Sequence, residues 1–262
     1  MWKDRKKMVI GMIHLPALPY APRSSMSINE LIDFACREAD ILAKAGVDGV
    51  IIENSGDYPH FKDKVHPATI ASLAIITRAV VEKKYKLAVG VNVLRNDCET
   101  ALSVAHVCGA KFIRCNIVTG TYATEQGLIE GCAHSLARLK RYLGSDVQIF
   151  GDVHVKYAYP LYNVPIEDAA INLAEKGGVD AIIVSGTRSP IPPSLENVKK
   201  VKEAVHLPVI VGSGVYLENI KDFSRVADGV ILGEAPFKVG GDPSKGSNLE
   251  AYLKAVKMFK QC

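Results

Sequence analysis

Apolar positions along the chain fall into short, nearly continuous runs separated by longer stretches of helical periodicity. The runs are Met8–His14, Gly49–Asn54, Leu87–Asn92, Phe112–Ile117, Val147–His154, Asp180–Ser185, Pro208–Gly214 and Asp228–Glu234. Each is rich in β-branched residues and bounded by turn formers, which marks strands. Strands that are apolar on both faces belong to parallel sheets covered by helices. Between them, Ser27–Ala45 shows apolar residues at helical spacing, with Ser27 and Glu30 in capping-box register. "AKAGVDGVIIEN", "AEKGGVDAIIVSG" and "SRVADGVILGE" repeat one passage from helix end through Gly or Ala and Asp into a strand. Eight strands alternating with eight helices predict an α/β fold, a single (β/α)8 barrel over residues 1–262. A doubly wound sheet is the alternative.

Closed barrels gather function at the C-terminal ends of their strands. There the chain turns polar: His14, Glu53 with Asn54, Asn92, Asn116, Asp152 with His154, Ser185, Ser213 and Glu234. In "GDVHVKYAYP" alternation predicts Val153 and Val155 outward, with Asp152, His154 and Lys156 in the mouth. A lone carboxylate is costly there, so Asp152 and Lys156 are expected to compensate each other or contact a ligand. The competing readings are an internal ion pair and a solvated Lys156. Desolvation would tune Glu53 towards proton transfer, unless loop amides bind it. Asn92 and Asn116 either orient a ligand or buttress loops, and Arg95 pairs with a substrate carboxylate or with Asp97. His14 is a base or part of a rigid loop.

Gly212-Ser213-Gly214, with the helix start near Leu217–Asn219 and with Gly233 after the last strand, is the expected phosphate site. Glu234 opposes an anion there unless Lys238 or a divalent cation balances it. Lys156 as a Schiff-base nucleophile is disfavoured, because Asp152 nearby would raise its pKa. The decarboxylase spacing D-x-K-x-x-D is absent. His60 and His66 with Asp57 form a weak metal candidate.

Composition narrows the partners. The 262 residues are 48% hydrophobic and 23% charged, with net charge +4, which suits one large domain. No basic stripe with interleaved aromatics points to nucleic acid. Six cysteines, Cys36, Cys98, Cys108, Cys115, Cys132 and Cys262, lack metal-binding spacing, so reduced thiols and a cytoplasmic location are expected. The basic start followed by an apolar run imitates a signal peptide, but His14 interrupts it, and it reads as the first buried strand. No membrane-length apolar segment occurs. Barrels often associate, so a homo-oligomer is compatible, although no segment specifies an interface.

Several loop motifs carry a resemblance: His14–Pro19 with Pro22 and Arg23, Glu53–Asp57, Asn92–Asp97, Thr119 and Gly120 with Gln126–Gly131, Asp152–Lys156, and Gly212–Gly214 with Lys238. In order and over nearly the whole chain, they resemble the BtpA family. The resemblance implies a TIM-type barrel. The family is named for a cyanobacterial factor needed for photosystem I biogenesis, and other members resemble products of sugar-utilisation clusters. A nucleoside triphosphatase label given to some finds no GxxxxGK[ST] here. The chain departs from the family at Glu234, at Tyr157 and at "GSNLE" (Gly246–Glu250). The expected function is an enzyme, or enzyme-derived binder, for a small phosphorylated or anionic compound. Asp152 and Glu53 would handle protons and Lys156 would stabilise negative charge. The cofactor stays open: there is no nucleotide motif, and a divalent metal is compatible. The alternative is a non-catalytic assembly factor.

Overall fold

The structure is a computed structural model that describes residues 7–242 and 245–261; Cys262, counted among the reduced thiols, lies outside them. In chain order the elements are β1 (Met8–His14), α1 (Ile28–Lys44), β2 (Gly49–Glu53), α2 (Pro67–Glu82), β3 (Ala88–Asn92), α3 (Cys98–Cys108), β4 (Phe112–Cys115), β5 (Thr121–Thr124), β6 (Gly127–Glu130), α4 (Ala133–Tyr142), β7 (Gln148–Val153), β8 (Ala158–Pro160), α5 (Ile166–Lys176), β9 (Ala181–Val184), α6 (Leu195–Ala204), β10 (Val209–Val211), α7 (Ile220–Val226), β11 (Gly229–Leu232) and α8 (Leu249–Lys260). Eight parallel strands close in the order β1-β11-β10-β9-β7-β4-β3-β2. The predicted (β/α)8 barrel is the fold. Ser27 caps α1 with the reciprocal Glu30 bonds of a capping box.

Strand alternation divides the apolar residues into two cores. Met8, Ile10 and Met12, with Ile51, Phe112, Phe150, Ile183, Ile210 and Ile231, fill the barrel interior. Their neighbours Val9, Ile13, Val50, Ile52, Val153 and Val184 face the helices in a larger cluster. Phe112 stacks on Phe150 with centroids 4.7 Å apart. Gly90 makes room for this: a Cβ there would lie 2.5 Å from the Phe112 ring. Tightly filled interiors of this kind tolerate little added volume.

Two features go beyond the expected pattern. A small antiparallel sheet, ordered β6-β5-β8, stands on the β4–α4 and β7–α5 connections. Cys98 at the start of α3 and Cys115 at the end of β4 form a disulfide, their Cα atoms 5.5 Å apart. The expectation of uniformly reduced thiols is therefore corrected. Cys132 follows at the N-cap of α4, its Sγ 3.5 Å from that of Cys115. No described helix is long and apolar enough to cross a membrane.

Candidate functional site

The interior rows do not stop at the apolar layers. Continuing each inward row by two residues gives His14 after Met12, Glu53 after Ile51, Asn92 after Gly90, Arg114 and then Asn116 after Phe112, Asp152 after Phe150, and Ser185 after Ile183. Two-residue periodicity thus carries polar side chains from distant parts of the chain to one barrel mouth. The register confirms their level, since His14 pairs with Glu53, Glu53 with Asn92 and Asn92 with Arg114.

Asp152 is held by Arg114, not by Lys156 as expected. The guanidinium grips the carboxylate with both arms, Nε to Oδ2 at 2.9 Å and Nη2 to Oδ1 at 2.7 Å, and Ser185 Oγ donates a third bond at 3.3 Å. Arg114 and Asp152 are 3% and 5% exposed, so each would be costly without the other. Burial works against the Arg114 charge, but the field and hydrogen bonds of Asp152 outweigh it and raise its pKa. Gly212 serves this pair: a Cβ there would meet Ile183 and Ser185 and come within 3.4 Å of Arg114 Nη2.

Lys156 bonds Ser189 Oγ at 3.0 Å, and Ser189 in turn donates to Glu234 Oε1 at 3.1 Å. Burial lowers the pKa of the Lys156 amine and the Arg114 charge lowers it further, against Glu53, Glu234 and Asp152. Glu53 moves the other way. Burial raises its carboxyl above the ordinary value, in spite of Arg114, Lys156, Asn92 and Arg95. Asn92 Nδ2 donates to Glu53 Oε2 at 2.8 Å, while Oε1 faces His14 Nε2 at 3.8 Å. Burial, followed by the charges of Lys238, Lys156 and Arg114, holds the His14 imidazole well below its usual range. The mouth therefore biases the imidazole, the Glu53 carboxyl and the Lys156 amine each towards its uncharged form.

His14, Glu53, Arg114, Lys156 and Ser189 open onto a cavity of about 540 Å³, whereas Asn92, Asp152, Ser185 and Glu234 stand behind its lining; its size is within the roughly 300–1,000 Å³ of small-molecule sites. Three side chains in its wall hold buried polar atoms without a protein partner: Arg95 Nε, Asn116 Oδ1 and both ring nitrogens of His60. The other face of Arg95 is committed, with Nη2 on the Lys156 carbonyl at 2.8 Å and its own amide on Phe61 O at 3.0 Å. Burial, then the Arg95 charge, takes His60 down to about 4, so it offers one donor and one acceptor. Tyr58 and Tyr157 close the sides.

Other expected contacts lie elsewhere. β7 ends at Val153 and His154 takes a left-handed φ of 47°, so alternation stops and His154 lines a separate pocket with Thr119–Tyr122. Ser213 Oγ accepts from Gly186 N at 3.2 Å, and a Cβ on Gly214 would sit 2.4 Å from Pro192. The Gly-Ser-Gly turn thus receives the β9–α6 loop, and its residues do not line the cavity. The expected helix start contributes only the short α7, whose cap Asn219 bonds Gly214 O and the Tyr216 amide. Gly233 packs on Met12 and His14, where a Cβ would approach within 2.7 Å. Lys238 does not balance Glu234; it is buried in a bridge to Glu38 at 3.2 Å.

His60, His66 and Asp57 form no ligand set. Asp57 accepts from Leu18 N and Asn54, and His66 caps α2 and stacks on Tyr20. Among the described residues, one cluster of three metal-type ligands occurs, Cys98, Cys115 and Cys132, and two of these share the disulfide.

The BtpA family profile matches residues 5–254. The chain belongs to the BtpA family. An uncharacterized protein of Methanocaldococcus jannaschii is 44% identical to it over 87% of this chain and 86% of its own. The photosystem I biogenesis protein BtpA of Synechocystis is 42% identical over 95% of this chain and 89% of its own. Among solved structures, phosphoribosylanthranilate isomerase from Pyrococcus furiosus superposes with a TM-score of 0.61 over 98% of this chain and all of its own, at 14% identity. Thiamine phosphate pyrophosphorylase from the same organism gives 0.60 over 99% and 98%, at 15%. These two likenesses show the fold alone.

Four of the motifs that carry the resemblance, those beginning at His14, Glu53, Asn92 and Asp152, contribute residues to this cavity. Glu53, Gly56, Leu94, Arg95 and Lys156 all line the cavity, Arg95 bonded to the Lys156 carbonyl. Arg114 is the residue that reading the family motifs and strand ends missed. The signal was available, because it is a charged residue at inward parity in an otherwise apolar strand. Ser189 and His60 had no comparable signal, since loop paths alone bring them to the cavity.

Proposed function

We propose that this BtpA-family barrel binds a small anionic, hydroxyl-bearing metabolite of the phosphosugar or sugar-acid class in its mouth and moves a proton on it with Glu53. The observation that carries this reading is the convergence of Arg95 Nε, Asn116 Oδ1 and the His60 nitrogens, buried and unpartnered, on one cavity. Buried polar groups are almost always satisfied, and a ligand that satisfies these must accept from a cation, donate to an amide oxygen and meet an imidazole. An anionic group and hydroxyls meet all three demands. Lys156 adds positive charge beside them, and Glu53, with Oε1 free of Asn92, supplies and recovers the proton.

Thermal-shift titration with sugar phosphates and aldonic acids tests the assignment. At least one should raise the melting midpoint of the parent, and Asn116→Leu or Arg95→Met should abolish the rise. Equal responses in parent and variants would move the site, and no response across the panel would remove it. A second reading, a factor assisting assembly of a protein complex, is favoured by the similarity to the cyanobacterial photosystem I biogenesis protein. It expects Glu53→Gln and Lys156→Met to leave function in the source cell intact, whereas the first expects both to abolish it.

A further inference from the structure

We propose that Lys156 is a covalent nucleophile, forming an imine with the carbonyl carbon of a keto- or aldehydo-compound held in the mouth. The inference rests on the small-anion reading above and adds a reaction to it. Sequence spacing argued against it, because Asp152 would have stabilised the ammonium. The structure weakens that argument, for both Asp152 oxygens are taken by Arg114, and the Arg114 charge acts on the Lys156 amine more strongly than that of Asp152.

Four observations support the assignment. Lys156 makes no ion pair among the described residues, and its one hydrogen-bond partner is the Ser189 hydroxyl. It is half-buried and feels the charge of the Arg114 guanidinium, and both conditions favour the free amine that attacks carbonyls. Glu53 lines the same cavity with one oxygen unengaged by Asn92, and burial biases its carboxyl towards holding a proton. Arg95 Nε stands in the same wall to hold an anionic group and fix where the carbonyl lies.

The step balances with these groups alone. The amine lone pair forms the C–N bond, the C=O π pair moves to oxygen, and that oxygen takes the proton lost by nitrogen. Glu53 then protonates the carbinolamine hydroxyl, which leaves as water while nitrogen forms the iminium. The Glu53 carboxylate so produced can take a proton from the adjacent carbon, giving an enamine, and return it. No oxidant, reductant or metal is consumed, and hydrolysis regenerates the free lysine.

Trapping with borohydride tests this directly. The full chain would be incubated with dihydroxyacetone phosphate, pyruvate or ribose 5-phosphate, reduced, and mapped by peptide mass spectrometry. The expected product is a secondary amine at Lys156, formed at pH 7 at least roughly tenfold faster than at exposed lysines such as Lys254, because more of the Lys156 amine is uncharged and the cavity holds the carbonyl beside it. Lys156→Arg, checked for an unchanged melting midpoint, should lose that adduct and keep the slow surface ones. Glu53→Gln should keep the site but slow its labelling. If a probe raises the melting midpoint yet labels Lys156 no faster than surface lysines, the imine is wrong and the binding reading stands. If no probe binds or labels, both fall.

Discussion

Arg114→Met removes the guanidinium and keeps much of the side-chain volume. Asp152, 5% exposed, would then retain only the Ser185 hydroxyl at 3.3 Å. Stranding one member of a buried pair costs about 3–5 kcal/mol. At about 2–4 °C per kcal/mol for a chain near this size, the midpoint should drop by roughly 6–20 °C. The loss should depend on pH. A buried carboxylate without its cation holds a proton that the unfolded chain releases above about pH 4. Over that interval the native state binds more protons than the unfolded state, so stability falls as pH rises. The deficit should therefore be larger at pH 8 than at pH 5. Arg114→Met/Asp152→Leu removes both charges and should recover most of the loss, because an apolar pair of similar volume can replace a buried ion pair. Thermal melts of parent, single and double variants at the two pH values measure all three effects. A single variant within about 2 °C of the parent, or a double variant no better than the single, would refute the account of this pair as a closed unit.

Glu53→Gln should stabilise the protein, with a gap that widens from pH 5 to pH 8. The native carboxyl titrates above its unfolded value, so the parent alone loses stability as pH rises through the native value; melting curves at both pH values decide it. Gly90→Ala puts a Cβ 2.5 Å from the Phe112 ring, itself stacked on Phe150, and should cost about 1–3 kcal/mol by overpacking, read from the melting midpoint with circular dichroism unchanged. Cys98→Ser opens a disulfide between residues 17 apart and should cost about 3 kcal/mol. Dithiothreitol should lower the parent midpoint by a similar amount and leave the variant unmoved, and a parent insensitive to the reductant would deny the bond.

What was legible in the sequence follows one physical division. Periodicity within a single strand or helix could be read: β1 has its expected bounds, Ser27 and Glu30 form the expected box, and Asp152 faces inward as parity requires. Partnership between strands could not. Arg114 and Asp152 are 38 residues apart, and the near neighbour Lys156 looked like the natural partner because spacing along a chain is visible and adjacency around a barrel is not. The Gly-Ser-Gly turn misled for the same reason, since the loop that packs on it comes from after β9. His154 was misplaced by extending alternation one residue past Val153, where a left-handed backbone turns the side chain away. Cys98 and Cys115 have no spacing signature, and only the approach of α3 to β4 pairs them.

The charges of the mouth explain why an anion should enter a site that contains so many carboxylates. Asp152 is paired with Arg114, and Glu53 is biased towards its neutral form by burial, so the negative charge both present to the cavity is reduced. Glu125 and Asp242 also line it, but Glu125 is exposed and Asp242 half-exposed, where water and salt screen them. The wall is left with the buried Arg95 and the half-buried Lys156, and a low-dielectric wall transmits their field more strongly than solvent does at the rim. The same arrangement sets an internal limit. Lys156 can be a nucleophile only in the fraction of molecules where it is uncharged, and in those Arg95 alone carries the positive charge facing the ligand. An anion near Lys156 pulls its pKa back up, so the reacting carbonyl and the anionic group of one ligand must sit apart, the first at Lys156 and the second towards Arg95. Acetone should therefore label Lys156 at a lower pH than pyruvate, whose carboxylate adjoins the carbonyl. Equal pH profiles for the two would show that Lys156 feels no ligand charge.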